Sequence, residues 1–596
     1  MNIDETYLQR TRAFTKLAEA QKNKSNSLAM ARLVLFLLAA FMLWYFWSAG
    51  AAAIFGIVFI AIVPFLWLMK LQGNADEQFN YYQQLAAINT LETAALNGQY
   101  EAFATGKEFL NPAHPYALDL DLFGDGSLFQ WLNRTVCPQG SETLAHWLTN
   151  PTIDRQDILQ RQEAIKELAA LLDIRQDFQA YGMMSPEKTN ARQQLNTWLQ
   201  EPEWFLKRID VRVLTILGPL AVVGSIVATS VGVLSAEITA AIFFGMLAYA
   251  GVYFKKVSQV MDQVSGRHDL LKKYARLLSI IEQQEFKSAL LQQLQQRIIT
   301  GKEPASAYFR SLSRITDSLE SRRNLPGYIV TNGLAQWDLQ NALRLERWKK
   351  QHRSALAQWF EVAGEFDALL SLANLHYNKP NFAFPTPETN DFQLEAIELG
   401  HPLLNDNERI TNNLSIPTSG YIILITGANM AGKSTFLRAV GINMALACAG
   451  APVCAQSFRF VPMEMYTSMR TTDSLQKHES YFFAELKRLQ AIVKDLEAGK
   501  KYFILLDEIL KGTNSTDQHL GSEALIERLL ALGASGMVAT HDLELGELEA
   551  RHPGHVRNQC FEIVIDGNQM HFDYKLHNGI TQNFNASLLM KNMGIV

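Results

Sequence analysis

The sequence predicts two architectures in series: an all-helical body carrying two transmembrane hairpins, then an α/β domain built on a parallel sheet. Three observations carry this. Residues 33–69 and 213–254 are almost free of charge. An apolar run, Tyr421 to Ile425, passes into a glycine-bracketed loop and then a helical pattern through Phe436, Leu437, Val440 and Met444. A second apolar run, Lys501 to Leu506, ends in Asp507 and Glu508, with a further strand pattern at 536–540.

With 596 residues the chain exceeds a single core, and its composition divides it into 1–32, 33–69, 70–212, 213–254, 255–387 and 388–596. The formal charge of −5 selects no partner, because local charges of opposite sign cancel in the sum. Cys137, Cys448, Cys454 and Cys560 are scattered, which argues against a disulfide framework or a zinc site and for reduced thiols.

Residues 1–32 are polar with a weak helical pattern. The 37 uncharged residues of 33–69 are roughly twice the ~20 that cross a bilayer once, so they read as two helices turning near Ser48-Ala49-Gly50. Uncharged runs Val213–Ala236 and Ile238–Phe254 read as a second hairpin, turning around Ser235-Ala236-Glu237. Lys22, Lys24, Arg32 and Lys70 flank the first hairpin, and Arg208, Arg212, Lys255 and Lys256 the second; neither turn carries Lys or Arg. The positive-inside rule then places both termini and all large soluble segments in the cytoplasm, on the inner membrane.

Between the hairpins, Ser127–Asn133 and Ile158–Ile165 are amphipathic helices of a core. Residues 255–353 are helical and basic, with 18 Lys/Arg against 9 Asp/Glu, a surplus that suits either a phosphate backbone, an anionic lipid surface or a solvated helical face. Phe360–Leu375 is a long apolar-periodic helix closed by Asn378-Lys379-Pro380, and Phe382–Pro387 reads as a linker.

The loop Gly427-x-x-x-x-Gly432-Lys433-Ser434 fits a phosphate-binding loop. Its glycines let backbone N–H groups turn toward phosphate oxygens at the positive end of the following helix. Lys433 is placed to reach the β- and γ-phosphates of ATP, and Ser434 to ligate Mg²⁺. Asp507 is the second Mg²⁺ residue and Glu508 the general base that polarises the attacking water. His541, at the end of the next strand, faces the γ-phosphate.

Around these positions the sequence resembles the MutS family of mismatch-repair ATPases. The resemblance rests on Thr426-Gly-Ala-Asn-Met-Ala-Gly-Lys-Ser-Thr435, Leu506-Asp-Glu-Ile-Leu-Lys-Gly-Thr513, Ala539-Thr-His-Asp-Leu-Glu-Leu545 and Ser480-Tyr-Phe-Phe-Ala-Glu485. Upstream, Leu128–Leu168 is similar to the start of the family's core, Glu365–Pro380 to its lever helix, and His401-Pro402-Leu403 to the opening of its P-loop NTPase domain. The resemblance implies that Gly427, Ala428, Asn429, Met430, Ala431, Gly432, Lys433, Ser434 and Thr435 bind nucleotide. It implies that Glu508, His541 and Lys433 are catalytic, and that Ser480 reaches the nucleotide of a second subunit. Two chains then sandwich two ATP molecules, so that binding closes a homodimer and hydrolysis reopens it.

Departures are also visible. The space of the family's mismatch-reading domain holds a polar leader and a membrane hairpin, with no Phe-x-Glu wedge. Arg409-Ile410 stands where many members place an aromatic residue against adenine, and Tyr481 replaces the usual Thr. The expectation is a membrane-anchored MutS-like ATPase acting on DNA through backbone contacts. The alternative is an ATP-driven membrane switch acting on protein or lipid without DNA. An ABC-type transporter fits less well, with four candidate spans and no Leu-Ser-Gly-Gly-Gln element.

Overall fold

The computed structural model describes residues 2–187, 197–264, 268–299, 303–320, 325–389, 394–428, 430–469, 481–566 and 569–581. Its first half is helical. Helices α1 (Ile3–Tyr45) and α2 (Ala51–Leu96) pack along each other as a hairpin, joined through a short 3₁₀ turn at Trp47–Ala49 and Gly50 at φ 93°. The polar leader and the first apolar run are thus one continuous helix. At 1.5 Å per residue, α1 is about 65 Å long, and its apolar end stands clear of the body with Trp44 and Ile60 of α2 each 74 % exposed.

The body follows: α3 (Leu128–Leu132), α4 (Pro138–Thr149), α5 (Arg155–Ala170) and α6 (Leu172–Met183). Ser127 caps α3 by accepting from the Gln130 N–H, and Asp154 caps α5. The second hairpin is α7 (Ile209–Ser230) and α8 (Ala236–Val252). Its turn is Val231–Ser235 with Gly232 at φ 79°, a few residues before the expected Ser235–Glu237, because Glu237 already lies in the first turn of α8. A 51° bend at Tyr253 leads into α9 (Phe254–Val264). Then come α10 (His268–Gln283), α11 (Ala289–Ile298), α12 (Ala305–Glu320) and α13 (Leu325–Ala335). The longest element of the body, α14 (Trp337–Asn378), runs about 63 Å and packs against α4, α5, α11 and α12.

Past α14, strands β1 (Thr386–Pro387), β2 (Leu394–Leu399) and β3 (Asn412–Ile416) join β5 (Ser457–Phe460) in a small sheet ordered β1-β5-β2-β3. The larger sheet is ordered β10-β9-β4-β8-β7-β6, from β4 (Ile422–Gly427), β6 (Glu464–Ser468), β7 (Tyr502–Asp507), β8 (Ser535–Ala539), β9 (Val556–Asp566) and β10 (Gln569–Asn578). Its strands are parallel except for β10, which pairs antiparallel with β9. Alternation splits β4 between two cores: Ile423 and Ile425 pack with the helical body, Ile422 and Leu424 with the opposite layer. Helix α15 (Lys433–Cys448) covers the first face; α16 (Tyr481–Glu497) and α17 (Ser515–Ala531) contribute to the second.

Both parts share one core. Leu120 of the helical part lies so close to Gly441 of α15 that a Cβ there would meet it at 2.6 Å. Asp119, fully buried, accepts from the Thr467 hydroxyl (2.6 Å) and pairs with Arg488 (2.9 Å), joining the body to β6 and α16. All four cysteines are free and buried.

Several residues of the basic 255–353 surplus are engaged internally. Lys273 is buried with Glu187 at 3.1 Å and donates to the Val136 carbonyl; Lys349 donates to the carbonyls of Trp198 and Glu201; Arg276 and Lys272 share Glu77.

Candidate nucleotide site

Strand β4 is buried along its whole length, so the loop that leaves it at the carboxyl edge of the sheet is held rigidly at its root. Gly427 has φ 150° and lies against the Phe561 backbone, where a Cβ would sit 2.9 Å from the carbonyl oxygen. Gly432, at φ 108°, is the N-cap of α15. The loop therefore turns tightly into the helix, and the unpaired N–H groups of the first turn of α15 face the same space.

Lys433 is buried inside that turn. Its Nζ donates to the carbonyls of Gly427 (2.6 Å) and Ala428 (3.0 Å). Burial lowers its pKa, opposed by Glu508 and Asp507. Ser434, in the first turn of α15, lies beside the Asp507 carboxylate at the end of β7. Asp507 has its pKa raised, chiefly by burial, and its Oδ1 is buried with no hydrogen-bond partner. Two oxygen ligands side by side, one of them orphaned, suit a hard divalent cation such as Mg²⁺.

Glu508 occupies the left-handed region at φ 50°, while its N–H donates to the Ala539 carbonyl at 2.8 Å. This throws its side chain out of the sheet, into a clamp between His541 Nε2 and Lys511 Nζ, each at 2.6 Å. The His541 hydrogen bond, with that of Lys511 and against the raising effect of burial, brings the Glu508 pKa down to about 2. The next residue after His541, Asp542, is anchored by His519 Nδ1 at 2.6 Å. Glu485 of α16 receives the Leu510 N–H at 2.6 Å, tying α16 to the same acidic turn.

A cavity of about 550 Å³ opens beside the loop. It is lined by Ala428, Met430, Gly432, Lys433, Ser434, Thr435 and Glu508, together with Leu399, His401, Glu408, Ile410, Phe561 and Tyr574. Met430 is exposed at φ 67° and Ala431 is buried. Asn429 and Ser480 lie outside the described residues. Asp507 and His541 stand at the carboxyl ends of β7 and β8, Asp507 beside Ser434 and His541 on Glu508.

Arg409 turns away from the cavity. Its guanidinium donates to the carbonyls of His401 and Leu404, pairs with Asp406 and lies over the Phe382 ring. Its neighbour Ile410 lines the cavity instead, as Tyr574 does. Tyr574 and Lys511 are the residues that sequence reasoning missed. Tyr574 stands at φ 51° in a bulge of β10, which no motif marks, and its ring lies close enough to Gly432 that a Cβ there would meet Cδ1 at 3.1 Å. Burial, helped by Arg438 and Arg409, lowers the His401 pKa to about 4, so its imidazole is neutral.

The fold and site define a class: a helical body with a long lever-like helix, fused to a doubly wound α/β domain whose central strand feeds an anion-shaped loop. The MutS domain III profile matches residues 117–373 and the MutS domain V profile residues 423–589. The chain belongs to the MutS family. It is 26% identical over 506 residues to the DNA mismatch repair protein MutS of a Thermotoga species, covering 79% of this chain and 61% of that protein. It is also 26% identical to the MutS of Chlorobium phaeovibrioides, over 77% of this chain and 56% of that one. To human MutS protein homolog 4 it is 32% identical, over 40% and 26% of the two chains. The chain thus spans about three fifths of the length of the bacterial relatives. The first hairpin lies outside both matches, and the second lies within the domain III match.

Proposed function

We propose that this chain is a membrane-anchored, Mg²⁺-dependent ATPase of the P-loop type, in which nucleotide binding closes a homodimer and hydrolysis reopens it. The observation that carries the reading is one cavity lined by Lys433, Ser434 and Glu508 at the carboxyl edge of a parallel sheet, with Asp507 beside Ser434. Phosphates would be received by the N–H groups of the loop and the first turn of α15, with the Lys433 ammonium moving from its own carbonyls to the β- and γ-oxygens. Ser434 and Asp507 would hold the cation, which neutralises charge on the phosphoryl oxygens. Ile410 and Tyr574 would flank the base.

Glu508 is the candidate base for water attack on the γ-phosphate. A carboxylate held at a pKa near 2 by two donors is a weak proton acceptor. Hydrolysis therefore requires His541 or Lys511 to let go, and rearrangement of this clamp is where closure by a second chain, with Ser480 reaching across, would act.

Membrane anchoring is supported by α1, α2 and α7, each long and apolar enough to cross a bilayer, and by the bent pair α8–α9. Where the second hairpin leaves the body, Arg208 lies over the rings of Trp204 and Tyr253, a cationic and aromatic collar of the kind found at membrane interfaces. With the basic residues at these ends, the soluble parts would face the cytoplasm from the inner membrane.

DNA, contacted through its backbone, is the ligand we assign from the bacterial relatives, which are DNA mismatch repair proteins. The rival, a membrane switch with protein or lipid partners, gains from the internal pairing of Lys273, Lys349, Lys272 and Arg276, which removes part of the basic surplus. Steady-state ATPase of the detergent-solubilised protein tests both. It is measured without DNA and with perfect duplex, mismatched duplex and single strands at two salt concentrations, with Lys433→Ala as the blank. A DNA effect that fades steeply with salt supports DNA; ATP hydrolysis indifferent to every DNA leaves the switch. No hydrolysis above the blank removes the ATPase reading.

A further inference from the structure

Helix α13 is an apolar element that no spanning-length criterion detects. From Leu325 to Trp337 there is no charged residue, and two arginines, Arg322 and Arg323, precede it in the sequence. One side of α13 packs on the second hairpin: Tyr328 meets the Phe254 ring edge-on at 5.8 Å, and a Cβ on Gly333 would strike the Phe243 ring at 2.2 Å. Just beyond its end, Gln336 donates to the Met246 carbonyl at 2.5 Å, and in α14 Gln340 donates to the Thr215 carbonyl. On another side Leu325, Ile329, Val330 and Leu334 are exposed.

These contacts fix depth. Tyr328 is level with the end of the hairpin that joins the body. Phe243 lies nine residues inside α8 from Val252, about 14 Å along the helix. Thr215 lies six residues inside α7, about 9 Å. The chain therefore descends through α13 beside the hairpin, reverses at Gln336 (φ 51°), and climbs out as α14. At about 16 Å, α13 is too short to span a hydrocarbon layer of ~30 Å. The backbone at its reversal is paired within the protein: Asn332 accepts the Asp338 N–H through its side chain and the Gln336 N–H through its carbonyl, while Gln336 and the acid Asp338 are buried away from the exposed face. Non-helical backbone is tolerated at membrane depth under that condition.

We propose that α13 and the first turn of α14 form a re-entrant helical loop that enters the bilayer beside the second hairpin and presents Ile329, Val330 and Leu334 to acyl chains. This rests on the second hairpin spanning the membrane. The exposed apolar surface continues from α7, where Ile216, Leu217 and Leu220 are open on the same hairpin, so the partner that fits it is the same lipid. Helix α14 is then rooted in the bilayer at one end and reaches the α/β domain at the other.

The test uses the full chain in liposomes, with a bimane fluorophore on an introduced cysteine and brominated acyl chains as quencher. Val330→Cys reads the loop, Ile216→Cys the hairpin, and Ile153→Cys, exposed on the body, the aqueous control. Leu334→Cys replaces Val330→Cys if that variant misfolds. The proposal expects positions 330 and 216 to lose about half or more of their emission while 153 does not. Quenching at 216 but not at 330 or 334 overturns the re-entrant loop and leaves the hairpin spanning. Quenching at none of them overturns the hairpin reading together with the proposal.

Discussion

The hydroxyl of Tyr7 donates a 2.8 Å hydrogen bond to Oδ1 of Asn378, joining the start of α1 to the last residue of α14. Asn378 in turn donates to Glu92 of α2 (2.9 Å), and Glu92 pairs with Arg134 at 2.5 Å with both side chains buried. The root of the first hairpin is therefore locked to the helix that delivers the chain into the α/β domain. This cluster ties the hairpin to the body alongside the pairs of Lys272 and Arg276 with Glu77 of α2.

The cluster is unequal in its parts, which gives a first prediction. Tyr7→Phe removes one hydrogen bond and should cost about 1 kcal/mol. Glu92→Ala strands the buried Arg134 guanidinium and should cost about 3–5 kcal/mol, as removal of one partner of a buried pair does. Thermal unfolding in detergent reads both. Equal losses would mean that water reaches Arg134 and that the lock is weak.

Glu508 and Lys433 should separate binding from chemistry. Lys433→Ala should abolish nucleotide binding. Glu508→Gln should retain it, because the amide still accepts from Lys511, yet slow hydrolysis by about 100-fold or more. Equilibrium binding of a fluorescent ATP analogue alongside single-turnover hydrolysis makes the distinction. Normal turnover in Glu508→Gln would move the base elsewhere.

Much of this architecture can be read from residue order, and what cannot has a physical reason. The β4–loop–α15 unit is legible because its glycines, lysine and serine stand at the spacing of a phosphate-binding loop. The two hairpins are legible as helices because their uncharged runs are long and apolar. Helix α13 lies within the stretch read as helical, but it is too short to span and shows its place beside the second hairpin only when Gly333 is seen against Phe243. The basic surplus of 255–353 misleads in the other direction, since counting charges cannot reveal that Lys273 is buried against Glu187. Arg409-Ile410 stands where many members carry an aromatic residue, and only the structure shows which of the two faces the cavity: carbonyl acceptors hold Arg409 away and Ile410 lines it.

Tyr574 should matter to nucleotide affinity although no motif contains it. Its ring lines the cavity beside Gly432 and stacks on Phe572 at 5.8 Å. Losing an aromatic contact of about 1–1.5 kcal/mol corresponds to roughly ten-fold weaker binding in Tyr574→Ala, with Tyr574→Phe close to the parent. Isothermal titration with ATP decides; unchanged affinity in Tyr574→Ala would place the base away from this wall.

Asp367 should make stability depend on pH near neutrality. It is buried in α14, where one oxygen accepts the N–H groups of Val136 and Cys137, both at 2.8 Å, and Gly140 presses so closely that no Cβ would fit. Burial raises its pKa to about 7, against the lowering influence of those two bonds and of Lys273. The folded protein then holds a proton that the unfolded chain releases at about pH 4. This contribution is complete below that value and is lost as pH climbs through about 7. Asp367→Asn keeps an acceptor for both N–H groups and cannot ionise. Relative to the variant, the wild type should therefore lose thermal midpoint steadily between pH 5 and pH 8, and a difference that stays constant over that range would show Asp367 ionised throughout, its hydrogen bonds and Lys273 outweighing its burial.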